Sequence, residues 1–551
     1  MRNLLTTLLL GGTALLPVQA ATAATTDTVD IQLLGINDFH SALPSSVAMT
    51  PDGPVEAGGA EYLAAHLDRL QRDNPTGTLR LAVGDNIINS PASAVMHDEP
   101  GIEALSLMRL DASSVGNHEF DRGLTELRRL ENGGCHPTGC VLGRFAGASF
   151  PYLGANIVDT TTGKPAFDPY IVKTVKGVKV GVIGVTYKRS LFEAPSPTAP
   201  LEGRDEAEAV NTYVGELKAK GVRTVVVLLH QGGGQTGGGL PNACGNLAGP
   251  VKDIVAKFDP EVDAVFSGHT HNPYNCVING IPVTQTSGFG REVTRIKLTV
   301  DRATGNPVAA KADNITTTTH DIRPDARIAA LRRRADEQAH RLMDRPIGMI
   351  HRDLTASRNA AGESTIGHAL ADARLAATSS PETGGAQIAV QPPYGGGIGG
   401  DLYASAMGND VANLVTHGEA IRVQQFGNML VTMTLTGAQV ERFLEQQWCG
   451  QGTPRVLGVS QGLTFTYDNA RPACDKIDPA TIKLNGTTIS PAEKYRVTAN
   501  SFIAEGGDGF SVLTEGTDRV EKVRDIEALE AHIRANSPLQ PPALGRITRL
   551  N

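Results

Sequence analysis

Beyond the first two dozen residues, no stretch reaches the about 18 uninterrupted apolar residues that a membrane helix needs, so a spanning chain is not expected. Positive charge is not in excess either. The 50 Lys and Arg face 58 Asp and Glu, for a net charge of −8. Without a global basic field, binding of a nucleic-acid polymer through its phosphates is disfavoured. A small phosphorylated ligand remains open, because a few local cations or metals suffice for it. Aromatic residues make up only 5%, with a single Trp, so those lying in Gly-flanked loops stand out. Glycine, at 61 of 551, is too scarce for a collagen. With 40% apolar and 20% charged residues, the composition is that of a globular chain, not a disordered one. The length allows two to four domains.

The N-terminus has Arg2, an apolar run from Leu4 to Leu16, and small residues at Val18-Gln19-Ala20 and Ala21-Thr22-Ala23. This is the pattern of a cleaved secretory signal peptide, expected over residues 1–24, and it points to a periplasmic or secreted protein. The polar end, Leu544 to Asn551, carries no anchor pattern. Six cysteines in an exported chain predict disulfides. Pairing of sequence neighbours, Cys135–Cys140, Cys244–Cys276 and Cys449–Cys474, is the expected arrangement. The rival is a zinc site at Cys135-His136-x3-Cys140, which offers only two thiols.

Residues 28–318 alternate β-branched runs with helical patterns. Strands are expected at Asp30–Ile36, Thr78–Val83, Val178–Val185, Arg223–Leu229 and Asp263–Phe266. Continuous apolar strands between helices imply sheets buried on both faces, hence a layered α/β domain. A charged helix over Asp321–Asp344 reads as the linker (319–345). Residues 346–551 mix helices with short strands and are expected to form a second, α+β domain.

Five stretches put metal-type ligands just after an expected strand. They are Asn37-Asp38-Phe39-His40, Gly84-Asp85-Asn86, Gly116-Asn117-His118-Glu119-Phe120-Asp121, Leu229-His230 and Gly268-His269-Thr270-His271. Ligand sites in open α/β sheets form beyond the carboxyl ends of the strands, so these loops can converge. Their His, Asp and Asn donors suit Zn, Mn or Fe rather than thiolate-selective metals.

The ordered set D-x-H, G-D, G-N-H-E, H and G-H-x-H resembles the calcineurin-like dinuclear metallophosphatases, and its longer matches resemble their 5′-nucleotidase branch. The resemblance implies a layered α/β/β/α N-terminal domain. It also implies two divalent metal ions (Zn, Mn or similar), with Asp38, His40 and His271 on one, Asn117, His230 and His269 on the other, and Asp85 between them. It places His118, supported by Asp121, beside the phosphate as catalytic assistant. Two cations about 3.5–4 Å apart can lower the pKa of a shared water and spread phosphoryl charge. In-line attack by a metal-bridging hydroxide, with no phospho-enzyme, is the expected reaction.

The likeness continues into the second domain through Glu363-Ser364-Thr365-Ile366-Gly367, Gln425-Phe426-Gly427-Asn428 and Asn500-Ser501-Phe502 through Gly507-Asp508-Gly509. It implies a nucleoside-gripping domain, with Phe426 and Phe502 sandwiching the base and Asn428 and Asp508 among the binding residues. Stacking is worth about 1–3 kcal/mol per base. Three positions depart from the family pattern. His368 stands where Asn is usual, and in the N-x-G-G-I-R type loop Tyr394 stands where Asn is expected and Gly399 where Arg is expected. Losing a bidentate cation weakens phosphate binding, unless Arg358, Arg422 or another cation replaces it. A phosphodiester, carrying less charge, needs that Arg less. The expected protein is therefore an exported, monomeric phosphohydrolase of nucleoside 5′-monophosphates. The alternatives are a UDP-sugar or 2′,3′-cyclic nucleotide phosphodiesterase, or a catalytically weak nucleotide-binding surface protein.

Overall fold

A computed structural model describes residues 27–88, 91–191, 198, 200–235, 240–393, 397–405, 411–424, 427–451 and 453–551. The expected export segment and Phe426 lie outside the described residues. Two six-stranded sheets form the first domain. One runs in the order Pro307–Thr316, Glu292–Asp301, Thr28–Ile36, Thr78–Val83, Ala112–Ser114, Tyr152–Leu153. The other runs Tyr274–Ile278, Ile281–Gln285, Ala264–Ser267, Thr224–His230, Val178–Thr186, Tyr170–Val175.

The alternation of side chains along each strand explains how the sheets stack. Ile31, Leu33, Leu81 and Val83 of the first sheet and Val180, Val182, Val226, Leu228 and Phe266 of the second form one buried cluster between them. The opposite faces, Leu34 and Ala82 on one side and Ile183, Val227 and Val265 on the other, pack beneath helices. This is the expected α/β/β/α layering. Gly35 permits the closest approach, since a Cβ there would sit 2.3 Å from the Phe266 ring.

The helix Ala326–Met343 begins later than its charge pattern suggests. Asp325 caps it, with its carboxylate accepting from the Arg327 and Ile328 amides, and such a cap ends the preceding loop. Its apolar face (Ile328, Leu331, Ala335, Ala339) belongs to the first domain's core. The second domain is built on a five-stranded sheet, Gly458–Val459, Ile388–Gln391, Lys494–Asn500, Met429–Thr436, Thr517–Arg524, with the helices Thr365–Thr378 and Gly437–Glu445. It is the α+β unit the sequence pattern predicts.

All three disulfides join sequence neighbours: Cys135–Cys140, Cys244–Cys276 and Cys449–Cys474. The first bond consumes both thiols that a zinc site at Cys135 and Cys140 would need, so that reading is discarded. Among the described residues, no helix is long and apolar enough to cross a membrane.

Candidate metal centre

Strands Thr28–Ile36, Thr78–Val83 and Ala112–Ser114 run parallel in one sheet, and Val178–Thr186, Thr224–His230 and Ala264–Ser267 run parallel in the other. The loops beyond their carboxyl ends meet. The backbone amide of His269 donates to both carboxylate oxygens of Asp38 at 3.0 Å, and the His118 amide donates to Asp85 Oδ1 at 2.9 Å. Two groups of candidate ligands result, Asp38–His40–His271 and Asp85–His230–His269, each with ligand atoms within 4.8 Å of one another. Asn117 belongs beside the second, its Oδ1 lying 3.1 Å from His230 Nε2 and 3.0 Å from His269 Nδ1. Asp85 Oδ2 is 3.2 Å from His230 Nε2 and 3.9 Å from His40 Nε2, so it stands between the groups.

The donor chemistry fits a cation. His40 Nδ1 faces the carbonyls of Ile87 (2.9 Å) and Ile88 (2.7 Å), and His230 Nδ1 faces that of Val83 (2.6 Å). Carbonyls only accept, so these nitrogens carry protons and each Nε2 points inward. The His230 Nε2 faces the acceptors Asn117 Oδ1 and Asp85 Oδ2; burial disfavours its imidazolium, yet Asp85 lifts the pKa to about 9, and a divalent cation can take the place of that proton. Asp38 and Asp85 are fully buried. Burial would raise their pKa, but His271 and His230 beside them outweigh it and hold both carboxyls low. Asp38, His40, Asp85, His269 and His271 all have φ between 46° and 75°, a conformation costly for non-glycine residues and concentrated at functional sites. Gly116 makes room for them, because a Cβ there would lie 2.2 Å from Asp85 Oδ1.

His118 lines the adjoining cavity. Its Nδ1 is 2.7 Å from Asp121 Oδ2. Burial disfavours the imidazolium, yet the carboxylates of Asp121 and Asp85 prevail and lift the pKa to about 10.

Glu119 has a role that the motif alone does not disclose. Its buried carboxylate accepts from the amides of Asp85 (2.8 Å), Asn86 (2.8 Å) and Gly116 (2.7 Å), tying two ligand loops together. Burial, then Asp85, raises it to about 7. Asn37, next to Asp38, donates to Asp38 Oδ2 at 2.6 Å and accepts from the Thr286 amide at 2.8 Å. Phe289 stacks on His40, with centroids 5.3 Å apart, and meets His271 edge-on at 5.0 Å. Replacing Glu119 by Gln should lower metal affinity about 10–100-fold, the usual effect of losing an outer-shell partner. A metal titration of the variant checks this, and unchanged affinity would contradict the role.

The cavity beside His118 has a volume of about 700 Å³ and lies between the domains, with His417, Gln424 and Arg524 on its far side. Asn428, Phe502 and Asp508 do not line it. Asn428 is buried against Ser501 (3.4 Å). Phe502 packs at the edge of the second domain's core, and Asp508 is paired with Arg455 at 2.9 Å. Gly399 donates its amide to Val423. Arg422 passes close to the neighbouring Gly400, its Cγ being 3.6 Å from where a Cβ would stand. His368, at another of the departures, is 3.0 Å from Glu363 Oε1 and accepts from the Val459 amide, a buried structural link.

Facing donor clusters at the strand ends of a two-sheet sandwich, joined to a separate α+β domain, make up a candidate two-metal centre in a two-domain chain. Residues 31–273 match the calcineurin-like phosphoesterase family and residues 341–515 match the 5′-nucleotidase C-terminal domain. The chain is 32% identical over 525 residues to cell wall protein Lmo0130 of Listeria monocytogenes, covering 90% of this chain and 66% of that protein. It is 28% identical over 531 residues to endonuclease YhcR of Bacillus subtilis, covering 94% and 41%. It therefore spans about two thirds and two fifths of these curated relatives. A solved 5′-nucleotidase precursor from Thermus thermophilus superposes with a TM-score of 0.60 at 25% identity, covering 95% of this chain and all of the other. The chain belongs to the 5′-nucleotidase family, in which a calcineurin-like phosphoesterase domain precedes a 5′-nucleotidase C-terminal domain.

Proposed function

We propose that the protein is an exported phosphohydrolase that releases phosphate from nucleoside 5′-monophosphates. The observation that carries this reading is the pair of inward-facing lone-pair clusters placed beside His118–Asp121 at the mouth of a nucleotide-sized cavity. Asp38, His40 and His271 would hold one divalent cation and Asn117, His230 and His269 the other, with Asp85 placed to serve both. When bound, such cations supply a water of lowered pKa and positive charge for the phosphoryl oxygens. The chain's residues do the rest. Asp121 fixes the His118 tautomer through Nδ1, which leaves Nε2 to stabilise a phosphoryl oxygen or protonate the leaving oxygen. Phe289 packs on His40 and His271 and limits how those rings can turn.

Phe426, Asn428, Phe502 and Asp508 are proposed to grip the nucleoside. Because the last three do not line the cavity beside His118, this role requires the second domain to turn that face toward the metal centre, so domain movement belongs to the cycle. Export is supported by the N-terminal pattern, by three disulfides and by the cell-wall relative. A monomer is proposed.

Gly399 in place of Arg favours a second reading, cleavage of a less charged diester or cyclic nucleotide. A substrate panel separates the readings: AMP, UDP-glucose, 2′,3′-cyclic AMP and an aryl diester, each after chelation and after metal add-back. Phosphate release from AMP that vanishes on chelation and returns with metal is expected. Bound metal with no release from any member would leave a binding protein instead.

A further inference from the structure

The interdomain cavity continues past His118 to a second group of side chains, two arginines and two histidines, that the reaction above leaves unused. His97 and His136 stack with centroids 3.6 Å apart. Thr138 Oγ1 lies between them, 2.7 Å from His136 Nδ1 and 3.1 Å from His97 Nε2. His136 and Thr138 sit on the short loop closed by Cys135–Cys140. Arg122 follows Asp121 in the chain, and its guanidinium is anchored 2.9 Å from buried Asp98. Arg524 arrives from the second domain at the end of strand Thr517–Arg524. It donates to the Gly427 carbonyl at 2.9 Å and, among the described residues, joins no ion pair. All five line the same cavity as His40, His118 and His271.

The arginines disfavour charge on one another and on the two histidines. Burial, then His136 and the neighbouring arginines 122, 129 and 524, push His97 down to about 3. Burial and then Arg122 also lower Arg524. Of the cavity's carboxylates, Asp121 is held by His118 and Glu530 is paired with Arg345 and His417, while Glu527 offsets the lowering of Arg524 only in part. Glu527 also accepts from the Arg524 amide, at 3.2 Å. Guanidinium matches phosphate geometry, and between low-dielectric walls its pull on an anion is stronger than in water.

We propose that Arg122, Arg524 and the His97–His136 pair form a second anion subsite, which takes a phosphate carried on the leaving-group side of the substrate while the scissile phosphate lies beside His118. The inference rests on the phosphoesterase reading and names its preferred substrate class, phosphoesters bearing a second phosphate, such as nucleoside 3′,5′-bisphosphates. One arginine comes from each domain, so a doubly phosphorylated ligand bridges the cleft in the domain setting of this structure, an alternative to the turned setting that the Phe426–Phe502 grip requires.

The test compares adenosine 3′,5′-bisphosphate with AMP on the metal-loaded protein. The native chain is expected to favour the bisphosphate in kcat/KM by about 10-fold or more, the scale of hydrogen bonds to charged groups. Arg524→Gln should collapse that ratio, Arg524→Lys should restore part of it, and His136→Gln, on the surface loop, should reduce it several-fold. If neither ligand is hydrolysed, calorimetric dissociation constants give the same ratio. A bisphosphate preference there sinks the hydrolase reading and keeps the subsite. No preference in the native protein, or a ratio unchanged in Arg524→Gln and His136→Gln, overturns the subsite while leaving the hydrolase intact.

Discussion

Replacing His118 by Ala is expected to lower turnover by about 10²–10⁴, the usual range for positioned acid–base assistance, while metal content stays at the native level. The separation follows from the geometry. What ties this residue to the ligand loops is its backbone amide, which donates to Asp85 Oδ1, and Ala keeps that amide. What is lost is an imidazole fixed by Asp121 at 2.7 Å and facing the cavity. Measuring steady-state rates alongside metal analysis distinguishes the outcomes. Unchanged turnover removes His118 from the chemistry, and loss of metal makes it structural.

The second large effect is expected at Asp85. Asp85→Asn retains the shape and a residue type that tolerates φ near 46°, but it removes the buried negative charge between the two donor groups. Its Oδ2 is within 3.2 Å of His230 Nε2 and 3.9 Å of His40 Nε2, so one substitution weakens both clusters. Metal occupancy should fall. Turnover should drop by about 10³ or more, since metal ions supply several kcal/mol of transition-state stabilisation and each about 1.4 kcal/mol is tenfold. Saturating metal should recover only part of the activity. Native metal content and native rate in this variant would mean that Asp85 holds nothing.

The layering of the first domain is legible in the sequence because its strands are continuous apolar runs ending in polar loops. That pattern has few physical solutions other than a sheet covered on both faces. The candidate ligands are legible for the same reason: each follows a strand end, where a parallel sheet opens its crevice. Other features could not be read this way. The left-handed backbone at Asp38, His40, Asp85, His269 and His271 is a tertiary constraint imposed by loops from two sheets; Asp and His tolerate it better than most residues, but that tolerance alone does not say which of them adopt it. Glu119 appears as one more acid in the G-N-H-E run, and only the fold reveals three amides converging on it. Phe502 and Asp508 are recognisable as motif residues, yet their distance from the cavity depends on how the domains are set against each other, which local patterning does not encode. Arg122 and Arg524 are about as remote in sequence as the two domains allow, and their meeting in one cavity is visible only in three dimensions.

The central claim is that five strand-end loops hold two divalent cations side by side. Anomalous diffraction from crystals of the full chain grown with Mn²⁺ tests it most directly. Two peaks are predicted, one within ligand distance of Asp38, His40 and His271, the other of Asn117, His230 and His269, with Asp85 reaching both. A map with no anomalous density at either position would contradict the account.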